Sequence, residues 1–596
     1  MCRVSGIISK KLPIQESIKK VEAMSYALKH GGPDDCGIYS DNNTGLVFGN
    51  RRLSLIDVSA NGHQPMADTE NKVWITFNGE IYNFLELRTQ LISEGCKFHS
   101  KTDTEVVIVA YLKWGPLAFP KFRGMFAFAL FDSVKSVTYL VRDSMGIKPL
   151  YYYINDGTIS FASEIRAFKA ANVTTDVDED WRVRFLAFGH IPEPYTTLKD
   201  VFNLQKGHYL VWDNQNCNYS IKPYAIANNY NHYLTDVDAV HEQLHDTLTI
   251  AVNRQLIADA PIGVFLSGGI DSSLITLLAN KQKQDNLKTV SIYFNEKEYN
   301  ERQYQKIIID KINGEKFEHL VRQQDFETFF PKILLDMDMP TTDGINTWFI
   351  SKYSHEVGLK AVLSGLGADE LFGGYPSFNR IKYLKYLRKL PYSFFKTADY
   401  FTTDKYKRIS FLANDHPVAD YLFLRGLFIP ENIARILDVD LKAVNDILFN
   451  NQPIGNVGNF DEEHAAWFET NLYMQNQLLR DTDVMSMCHG LEVRVPFLDE
   501  DFQNFSQSID PEIRFNKKQP KKVLIDSFSD ILPNEIWDRP KMGFSFPLQD
   551  WMRNHKEVFN EGNFSGKTAK NLVKQFNEGH VHWSKVFALY QIQAGE

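Results

Sequence analysis

The fold of the second half of the chain is decided by residues 264–273, which read VFLSGGIDSS. The three apolar residues that open the stretch predict a short buried strand. Leucine and isoleucine then recur on one helical face over residues 274–278, so we expect an amphipathic helix. Gly268 and Gly269 lie between the two and allow the backbone and the first helical N–H groups to approach an anion closely. The stretch predicts a strand, an anion-binding turn and a helix.

Polar side chains in the same turn suit a phosphate. The hydroxyl of Ser272 and its neighbours would donate to phosphate oxygens, and Asp271 adds a carboxylate where Mg²⁺ could bridge to them. No Gly-Lys-Ser/Thr follows, so this is not a Walker A loop. A Gly-Gly turn before a helix is common on its own, and the complete Ser-Gly-Gly-x-Asp-Ser string after a strand is the informative feature.

Working outward, strand and helix patterns alternate downstream of residue 264. Strands are predicted at 290–294 and 360–363 with a helix at 304–312 between them, and helices dominate from residue 380. This alternation predicts a parallel sheet covered by helices.

The first 225 or so residues differ, since they read as short strands interrupted by glycine. Strands are predicted at 73–77 (ending at Asn78-Gly79), 126–131, 137–142 and 159–162, and helices at 84–94 and 104–113. The Asn-rich tract 213–232 has neither period and is taken as the boundary. We predict two domains, residues 2–225 of α+β class and residues 236–590 of α/β class.

Composition excludes several functions. The 596 residues carry 65 basic and 74 acidic side chains, a net charge of −9, and 44% are hydrophobic, so the chain can fill a large core and its surface repels nucleic acid. The longest apolar run, residues 125–131, is far below the roughly 20 residues of a membrane span. No secretory signal is recognised, and the five cysteines form no C-x-x-C pair. We expect a cytoplasmic protein without a membrane span, disulfide framework or zinc site.

Cys2 is the first candidate catalytic residue. Removal of Met1 would leave the thiol and a free α-amine on one residue, and an α-amine with a pKa near 7.7–8.0 can accept the thiol proton. One residue would then supply both nucleophile and base. The alternative is a passive thiol near the start of a strand.

Polar residues downstream suit an amino-acid substrate. Arg52 offers a guanidinium fork for a carboxylate. Asn78 and Gly79 offer an amide and a backbone N–H for an oxyanion, and Glu80 offers a carboxylate for an ammonium group. Asp103 either binds the same ammonium or caps the helix that follows it.

These residues lie within motifs that resemble the class II glutamine amidotransferase domain. The motifs, in the order and at the spacing of that family, are Cys2, GPD at 32–34, RLS at 52–54, NGEIYN at 78–83, GMFA at 124–127 and RDSMGIKPLY at 142–151. The resemblance implies an N-terminal-nucleophile hydrolase fold, with two antiparallel sheets between helices, in which Cys2 attacks the glutamine amide. It also implies that Asn78 and Gly79 form the oxyanion hole and that Arg52, Glu80 and Asp103 hold glutamine. Two departures are Arg3, where the family usually has glycine, and Gly31, where it often has arginine.

The turn at 267–273 resembles the pyrophosphate loop of enzymes that split ATP into AMP and pyrophosphate. A second stretch, SGLGADELFGGY at 364–375, again follows a predicted strand. The resemblance implies Mg²⁺ as cofactor, ATP as substrate, and the ATP-binding residues Leu266, Ser267, Gly268, Gly269, Asp271, Ser272, Ile292, Ser364 and Gly365. Asp271 and Asp369 would hold the metal. Leu266 and Ile292 also fit ordinary strand core.

Two further motifs match this family. LEVRVPFLD at 491–499 is interpreted as structural, and RPKMGF at 539–544 resembles the stretch that carries the family's synthetase lysine, here Lys541. A cation there would offset charge on the α-phosphate and on the departing pyrophosphate. The alternative is a solvated surface lysine.

Both halves together resemble the glutamine-hydrolysing asparagine synthetases over nearly the whole chain. The implied substrates are glutamine, ATP and aspartate, with ammonia passing through an internal tunnel, and a homodimer is compatible with the family. Leu366 replaces an acidic residue common in that family, and residues 339–347 (MPTTDGINT) resemble homologues associated with surface polysaccharides. The alternative acceptor is therefore another carboxylate, such as a sugar uronic acid. A non-catalytic binding protein and a β-lactam-forming relative fit less well, because the candidate catalytic residues, Cys2 included, are all present.

Overall fold

The computed structural model describes residues 2–225, 233–395, 407–450, 459–540, 542–543 and 545–594. The N-terminal half contains two six-stranded antiparallel sheets, with strand orders β10-β8-β9-β1-β3-β2 and β12-β11-β7-β6-β5-β4. The strands are β1 Arg3–Ile8, β2 Asp35–Asp41, β3 Leu46–Arg52, β4 Met66–Ala67, β5 Val73–Ile81, β6 Gly124–Asp132, β7 Val137–Arg142, β8 Tyr151–Asn155, β9 Thr158–Ala162, β10 Val201–Asn203, β11 His208–Asp213 and β12 Asn218–Pro223.

The two sheets pack face to face because their strands alternate. Val4 and Ile8 of β1 pack with Ala127 and Ala129 of β6 in one buried cluster between the sheets. Ile7, on the other side of β1, belongs to a second cluster shared with the C-terminal half. Helices cover the outer faces of the pair, so the half has four layers. These helices are Ile14–Ala27, Phe84–Ser93, Asp103–Trp114, Arg166–Ala170 and Trp181–Phe188.

Two predictions for this half are wrong. The strand predicted to end at residue 77 continues through Asn78 and Gly79 to Ile81, because both residues pair with β6, opposite Ala127 and Phe126. Residues 213–232 were expected to lack a strand, yet β12 pairs with β11 along its whole length. Every residue of β12 is exposed, so it shows no apolar alternation that could reveal it. Residues 226–232 lie outside the described residues.

A five-stranded parallel sheet forms the centre of the C-terminal half, with the order β15-β14-β13-β16-β17. Its strands are β13 Ile262–Phe265, β14 Lys288–Tyr293, β15 Glu315–Leu320, β16 Ala361–Leu363 and β17 Glu492–Arg494. The strand, turn and helix predicted from residues 264–273 are confirmed, since β13 leads through the glycines into the helix Ile270–Lys283. The motif at 491–499 supplies β17, which pairs with β16.

Helices surround this sheet and form the C-terminal part, as expected. They are Val237–Gln255, Ile270–Lys283, Arg302–Ile309, Gln323–Asp336, Ile345–Glu356, Ala368–Phe372, Ser377–Leu387, Tyr392–Phe395, Pro417–Arg425, Pro430–Leu437, Leu441–Phe449, Glu462–Phe468, the π-helix Glu469–Leu479, Arg480–Met487, Glu500–Ser508, Pro511–Arg514, Lys522–Ser527, Asn534–Trp537, Leu548–Asn554, Lys567–Asn577 and Trp583–Ala594. In the described part of the chain, no helix combines the length and the apolar character needed to cross a lipid bilayer.

The predicted fold class is confirmed. An α+β domain with two antiparallel sheets between helices precedes an α/β domain with a parallel sheet and a helical C-terminal portion. The first carries Cys2 at the start of its central strand β1. The second carries both glycine-rich turns at the carboxyl ends of the neighbouring strands β13 and β16, where ligands bind in open parallel sheets.

Candidate active sites

The Cys2 thiol is buried directly before β1. Burial raises the pKa of this thiol to about 11, and the nearby charges of Arg52 and Glu80 shift it in opposite directions. The thiol is therefore neutral at physiological pH and needs a base before it can attack a carbonyl carbon. Its own α-amine, once Met1 is removed, is a base at the right place.

Asn78 and Gly79 lie side by side on β5, next to the start of β1. The Asn78 amide nitrogen is 3.5 Å from Ser163 Oγ, which also accepts the N–H of Val4 at 2.9 Å. Gly79 has a φ of +154°, and a Cβ there would lie 2.2 Å from the carbonyl oxygen of Met125, so only glycine fits. Ser163, which no sequence motif indicated, thus links Asn78 of β5 to the start of β1, directly after Cys2.

Glu80 and Asp103 form a buried acidic pair beside this strand. Oε2 of Glu80 is buried with no hydrogen-bond partner among the described residues, and burial, followed by the charges of Asp103 and Glu492, raises its pKa well above the ordinary value. Burial likewise raises the pKa of Asp103 to about 6. A bound ammonium group would satisfy the open carboxylate oxygen and favour the charged forms.

Asp103 does not cap its helix. Thr102 is the N-cap, since its side chain accepts the N–H of Glu105, whereas a carboxylate oxygen of Asp103 accepts the N–H of Ile81 at 2.9 Å. The hydrogen bond to Ile81 holds Asp103 against the end of β5, close to Glu80. The capping interpretation is therefore wrong, and ammonium binding by Asp103 stays a prediction.

Arg52 is held by the loop that follows it. Its guanidinium donates to the carbonyl oxygens of Asp57 at 2.6 Å, Ser59 at 3.1 Å and Ile56 at 3.3 Å. A Cβ on Gly62 would lie 1.8 Å from Nη2 of Arg52, so the loop can close over the guanidinium only with glycine there. A substrate carboxylate would have to replace some of these carbonyl oxygens.

The glycine-rich turn at residues 267–273 has the geometry of an anion site. Gly268 has a φ of +87°. Gly269 is the N-cap residue of the helix Ile270–Lys283 and has no side chain that could accept the first helical N–H groups, so these groups can donate to an anion. The hydroxyls of Ser267 and Ser272 lie 2.9 Å apart. Gly365 comes from the neighbouring turn, and a Cβ on it would lie 2.7 Å from the N–H nitrogen of Ser272.

Asp271 and Asp369 converge on a lysine that the sequence motifs did not indicate. Lys521 Nζ lies 2.6 Å from Oδ2 of Asp271 and 2.5 Å from Oδ1 of Asp369. Burial opposes the charge of the lysine, but the two carboxylates hold its pKa above the ordinary value. A Cβ on Gly374 would lie 1.7 Å from Oδ1 of Asp369, which explains the glycine at that position.

Lys541 lies outside the described residues, but its neighbours are placed. Arg539 donates to the carbonyl oxygen of Gly268 at 2.9 Å and to Glu301 at 2.9 Å, and its guanidinium lies 3.7 Å from the ring centre of Tyr304. Arg539 therefore anchors its segment on the glycine-rich turn. The catalytic role of Lys541 stays a prediction.

The two turns open into one cavity of about 1120 Å³. Ser267, Gly269, Asp271, Ser272, Ser364, Gly365 and Asp369 line it, and so does Leu366. Leu266 and Ile292 are fully buried in the core instead, which agrees with their alternative interpretation as strand core. Aromatic side chains form much of the remaining wall: Phe188, Phe265, Tyr375, Tyr421, Tyr473, Phe546 and Trp583.

Two aspartates lie in the cavity wall, Asp343 half-buried and Asp481 buried. Asp343 belongs to the segment 339–347, and Asp481 lies in the first turn of the helix Arg480–Met487 and accepts a hydrogen bond from Thr341 Oγ1 at 2.5 Å. Burial, and then the charge of Asp481, raises the pKa of Asp343 to about 7. The charge of this wall therefore changes near neutral pH.

One arginine joins the two sites. Nη2 of Arg494 lies 3.7 Å from Glu80, and its carbonyl oxygen accepts the N–H of Ser364 at 2.8 Å. Its Nε lies 2.5 Å from Glu492, and Nη1 donates to the carbonyl oxygens of Gln255 and Ile257. The segment 491–499 therefore connects the glutamine-type site with the anion-binding turn.

The N-terminal half therefore holds a buried thiol directly before a central strand of two stacked antiparallel sheets, and the C-terminal half is a parallel-sheet domain with an anion-binding turn. The chain matches the family model for asparagine synthase over residues 243–578 and the model for a glutamine amidotransferase domain over residues 1–225. The chain belongs to the asparagine synthase family.

Individual relatives are distant. Asparagine synthetase (glutamine-hydrolyzing) 1 of Bacillus subtilis is 29% identical and covers 97% of this chain and 93% of its own length. Amidase chry2 of Gibberella zeae is 25% identical and covers 92% of this chain and 90% of its own length. Among solved structures, the glutamine phosphoribosylpyrophosphate amidotransferase of B. subtilis complexed with ADP and GMP has a TM-score of 0.30 at 12% identity, covering 54% of this chain and 81% of that one.

Proposed function

We propose that the protein is a glutamine-dependent asparagine synthetase. It hydrolyses glutamine at Cys2 and transfers the ammonia to a β-aspartyl adenylate made from ATP and aspartate, with release of AMP, pyrophosphate and glutamate. The observation that carries the proposal is the convergence of Asp271 and Asp369 on Lys521, beside the turn 267–272 and in the wall of the large cavity. The names of relatives such as the B. subtilis synthetase support aspartate as the acceptor.

The glutamine step begins at a neutral thiol. The α-amine of Cys2 takes the thiol proton, and the sulfur attacks the side-chain amide carbon of glutamine. Asn78 Nδ2 and the Gly79 N–H stabilise the oxyanion that forms. The amide nitrogen leaves as ammonia with the proton held by the amine, and water then hydrolyses the thioester to glutamate and the free thiol.

The α-ammonium and α-carboxylate groups of glutamine each bind side chains of the opposite charge. The unpartnered Oε2 of Glu80, with Asp103 beside it, receives the ammonium group. The Arg52 guanidinium exchanges loop carbonyl oxygens for the substrate carboxylate, which forms a stronger, charge-assisted pair.

The synthetase step needs an activated carboxylate because a carboxylate ion is a poor acyl electrophile. An acceptor oxygen attacks the α-phosphorus of ATP and pyrophosphate leaves; ammonia then attacks the acyl carbon and AMP leaves. The helical N–H groups after Gly269 and the Ser267 and Ser272 hydroxyls hold the phosphates. Lys521 and Lys541 offset the negative charge that develops on them.

The donor set at this site fits magnesium bound with ATP. The described residues contain no group of three or more His, Cys, Asp or Glu side chains suited to a metal, but Mg²⁺ typically takes one or two carboxylates and completes its coordination with substrate phosphates and water. Asp271 and Asp369 would hold it, and the ion would neutralise phosphate charge when bound. Lys521 supplies the positive charge between the two carboxylates in the structure.

Amidation of another carboxylate, such as a sugar uronic acid, is the second candidate. Leu366 places an apolar side chain in the cavity wall where the asparagine synthetase pattern commonly has an acid, and seven aromatic residues line a volume of about 1120 Å³. Aromatic faces and a roomy pocket suit a sugar ring better than they suit aspartate, which is small and carries two carboxylates and an ammonium group.

Acceptor-dependent exchange of labelled pyrophosphate into ATP, without glutamine, tests the proposal. We expect exchange with aspartate, and we expect Cys2→Ala to retain it because the thiol takes no part in adenylation. Absence of exchange with aspartate would refute asparagine synthesis, and exchange with a uronic acid would establish the second candidate. Amide formation from glutamine in the presence of labelled free ammonia tests the internal transfer, since extensive label in the product would contradict a sealed tunnel.

A further inference from the structure

Arg3 directly follows the nucleophile, yet its side chain leaves the glutaminase core. It is completely buried and lies on the same side of β1 as Ile7, opposite Val4 and Ile8, which face the space between the sheets. Its Nε is 2.7 Å from Glu164, and its Nη1 donates to Oδ2 of Asp483 at 2.7 Å. Arg3 therefore reaches across to the C-terminal half rather than obstructing the thiol.

Asp483 lies on the helix Arg480–Met487 and binds two cations of the N-terminal half. Lys148 Nζ lies 2.7 Å from its Oδ1, while Arg3 holds the other oxygen. All three side chains are at most 2% exposed. Two residues earlier, Asp481 lines the large cavity. The helix Arg480–Met487 thus contacts Arg3 through Asp483 and lines the large cavity through Asp481.

Gly31 makes room for this arginine. A Cβ on Gly31 would lie 2.8 Å from both Cγ and Nε of Arg3, so any side chain there would displace the guanidinium. The two departures from the family pattern are therefore in contact: arginine stands where glycine is usual, and glycine stands where arginine is frequent. The buried space between positions 3 and 31 has room for one arginine side chain, and in this chain that side chain is Arg3.

We propose that Arg3 is a positioning residue that couples the two active sites by fixing the start of β1, and with it Cys2, to the helix Arg480–Met487 through Asp483. A change in the acceptor wall at Asp481 then reaches the thiol through the helix, the Arg3–Asp483 ion pair and one residue of backbone. The coupling to amide transfer rests on the proposed function, whereas the positioning of Cys2 does not.

The test compares Arg3→Gly, Arg3→Lys, Gly31→Arg and the double variant Arg3→Gly/Gly31→Arg in the full-length protein. Two readouts are needed: amide formed per glutamine hydrolysed, and the rate at which the glutamine analogue 6-diazo-5-oxonorleucine alkylates Cys2, with and without ATP and acceptor. Arg123→Gln is the matched control, since Arg123 also pairs with an aspartate of the C-terminal half, Asp501 at 3.0 Å, but is a quarter exposed and elsewhere on the surface.

We expect each single variant at position 3 or 31 to lower the amide yield per glutamine by about tenfold or more, because small displacements of reacting groups are costly. The alkylation rate should change and lose its response to ATP and acceptor, and the double variant should recover toward the parent. Arg3→Lys keeps a cation and remains informative if Arg3→Gly does not fold.

An unchanged yield and alkylation rate in Arg3→Lys and Arg3→Gly would overturn the positioning role, and a double variant no better than the singles would overturn the exchange with Gly31. If the parent protein forms no amide from glutamine with any acceptor, the proposed function fails, and an unaltered alkylation rate in the variants would still refute the inference on its own.

Discussion

The guanidinium of Arg494 lies 3.7 Å from the carboxylate of Glu80, across the boundary between the two halves of the chain. Glu80 is buried beside Asp103 and Glu492, and the charge of Arg494 is what opposes the rise in its pKa. The carbonyl oxygen of the same residue holds Ser364 in the ATP-type turn. We therefore expect the side chain to act at the proposed glutamine site and the backbone at the proposed nucleotide site, so the two contributions can be separated by mutation.

Arg494→Lys should weaken glutamine binding and spare ammonia-driven synthesis. Lysine keeps a positive charge but loses the fork that meets Glu492 and two carbonyl oxygens, so Glu80 is less readily ionised. We expect the KM for glutamine to rise about tenfold, or 1.4 kcal/mol, with a smaller change in kcat. Steady-state glutaminase kinetics measure this, with Arg254→Lys as control because Arg254 makes a partly exposed pair with Asp501. An unaltered KM would show that Arg494 has no part in glutamine binding.

Lys521→Met should expose the repulsion between Asp271 and Asp369. The lysine is buried and contacts both carboxylates, so its removal takes away a cation that the two share and should cost about 3–5 kcal/mol of stability. Added Mg²⁺ should recover part of the loss, making the Tm depend on magnesium in the variant much more than in the parent.

Thermal unfolding with and without Mg²⁺ measures this effect, and Lys522→Met is the matched control. Lys522 is the next residue, but it is 43% exposed and pairs with Asp526 one helical turn away. A control as destabilised as the variant, or a variant whose Tm ignores magnesium, would contradict the role given to Lys521.

Sequence predicted the turns well because glycine and apolar runs act locally. Gly268 and Gly365 sit at close backbone approaches that few other residues allow, and the strand before each is a plain apolar run. Asn78 and Gly79 were misplaced beyond the strand because their pairing partners on β6 lie almost fifty residues away. Lys521, Ser163 and the direction of Arg3 depend on long-range packing, so nothing in their local sequence could reveal them.

Asp103→Asn should stabilise the glutamine-free protein at high pH. The buried carboxyl has its pKa raised to about 6, so the folded state binds the proton more tightly than the unfolded state, and the stability it contributes falls as pH rises from about 4 through 6. Asparagine can still accept the N–H of Ile81 but carries no charge. At pH 8 we expect a gain on the order of 1–3 kcal/mol, with no gain at pH 4.

The same substitution should impair glutamine binding, because it removes half of the negative charge that faces the ammonium group. Unfolding curves between pH 4 and 8, with and without glutamine, measure both effects together. Equal pH dependence in parent and variant would show that Asp103 does not titrate in this range.

Asp343→Asn should remove a pH dependence of acceptor binding. Burial and the charge of Asp481 raise the pKa of Asp343 to about 7, and both residues line the cavity that receives the acceptor. Below this pH the carboxyl is neutral, and above it the wall carries an additional negative charge that repels an acceptor carboxylate. The acceptor KM in pyrophosphate exchange should therefore rise as pH increases through about 7 in the parent and stay level in the variant.

Glu370→Gln is the control that distinguishes Asp343 from a second carboxyl that titrates in the same range. Burial raises the pKa of Glu370 to about 7 as well, but its side chain accepts a hydrogen bond from Tyr375 and does not line the cavity. If the rise in KM persists in Asp343→Asn and disappears in Glu370→Gln, the acceptor does not lie against Asp343 and must occupy the aromatic side of the cavity instead.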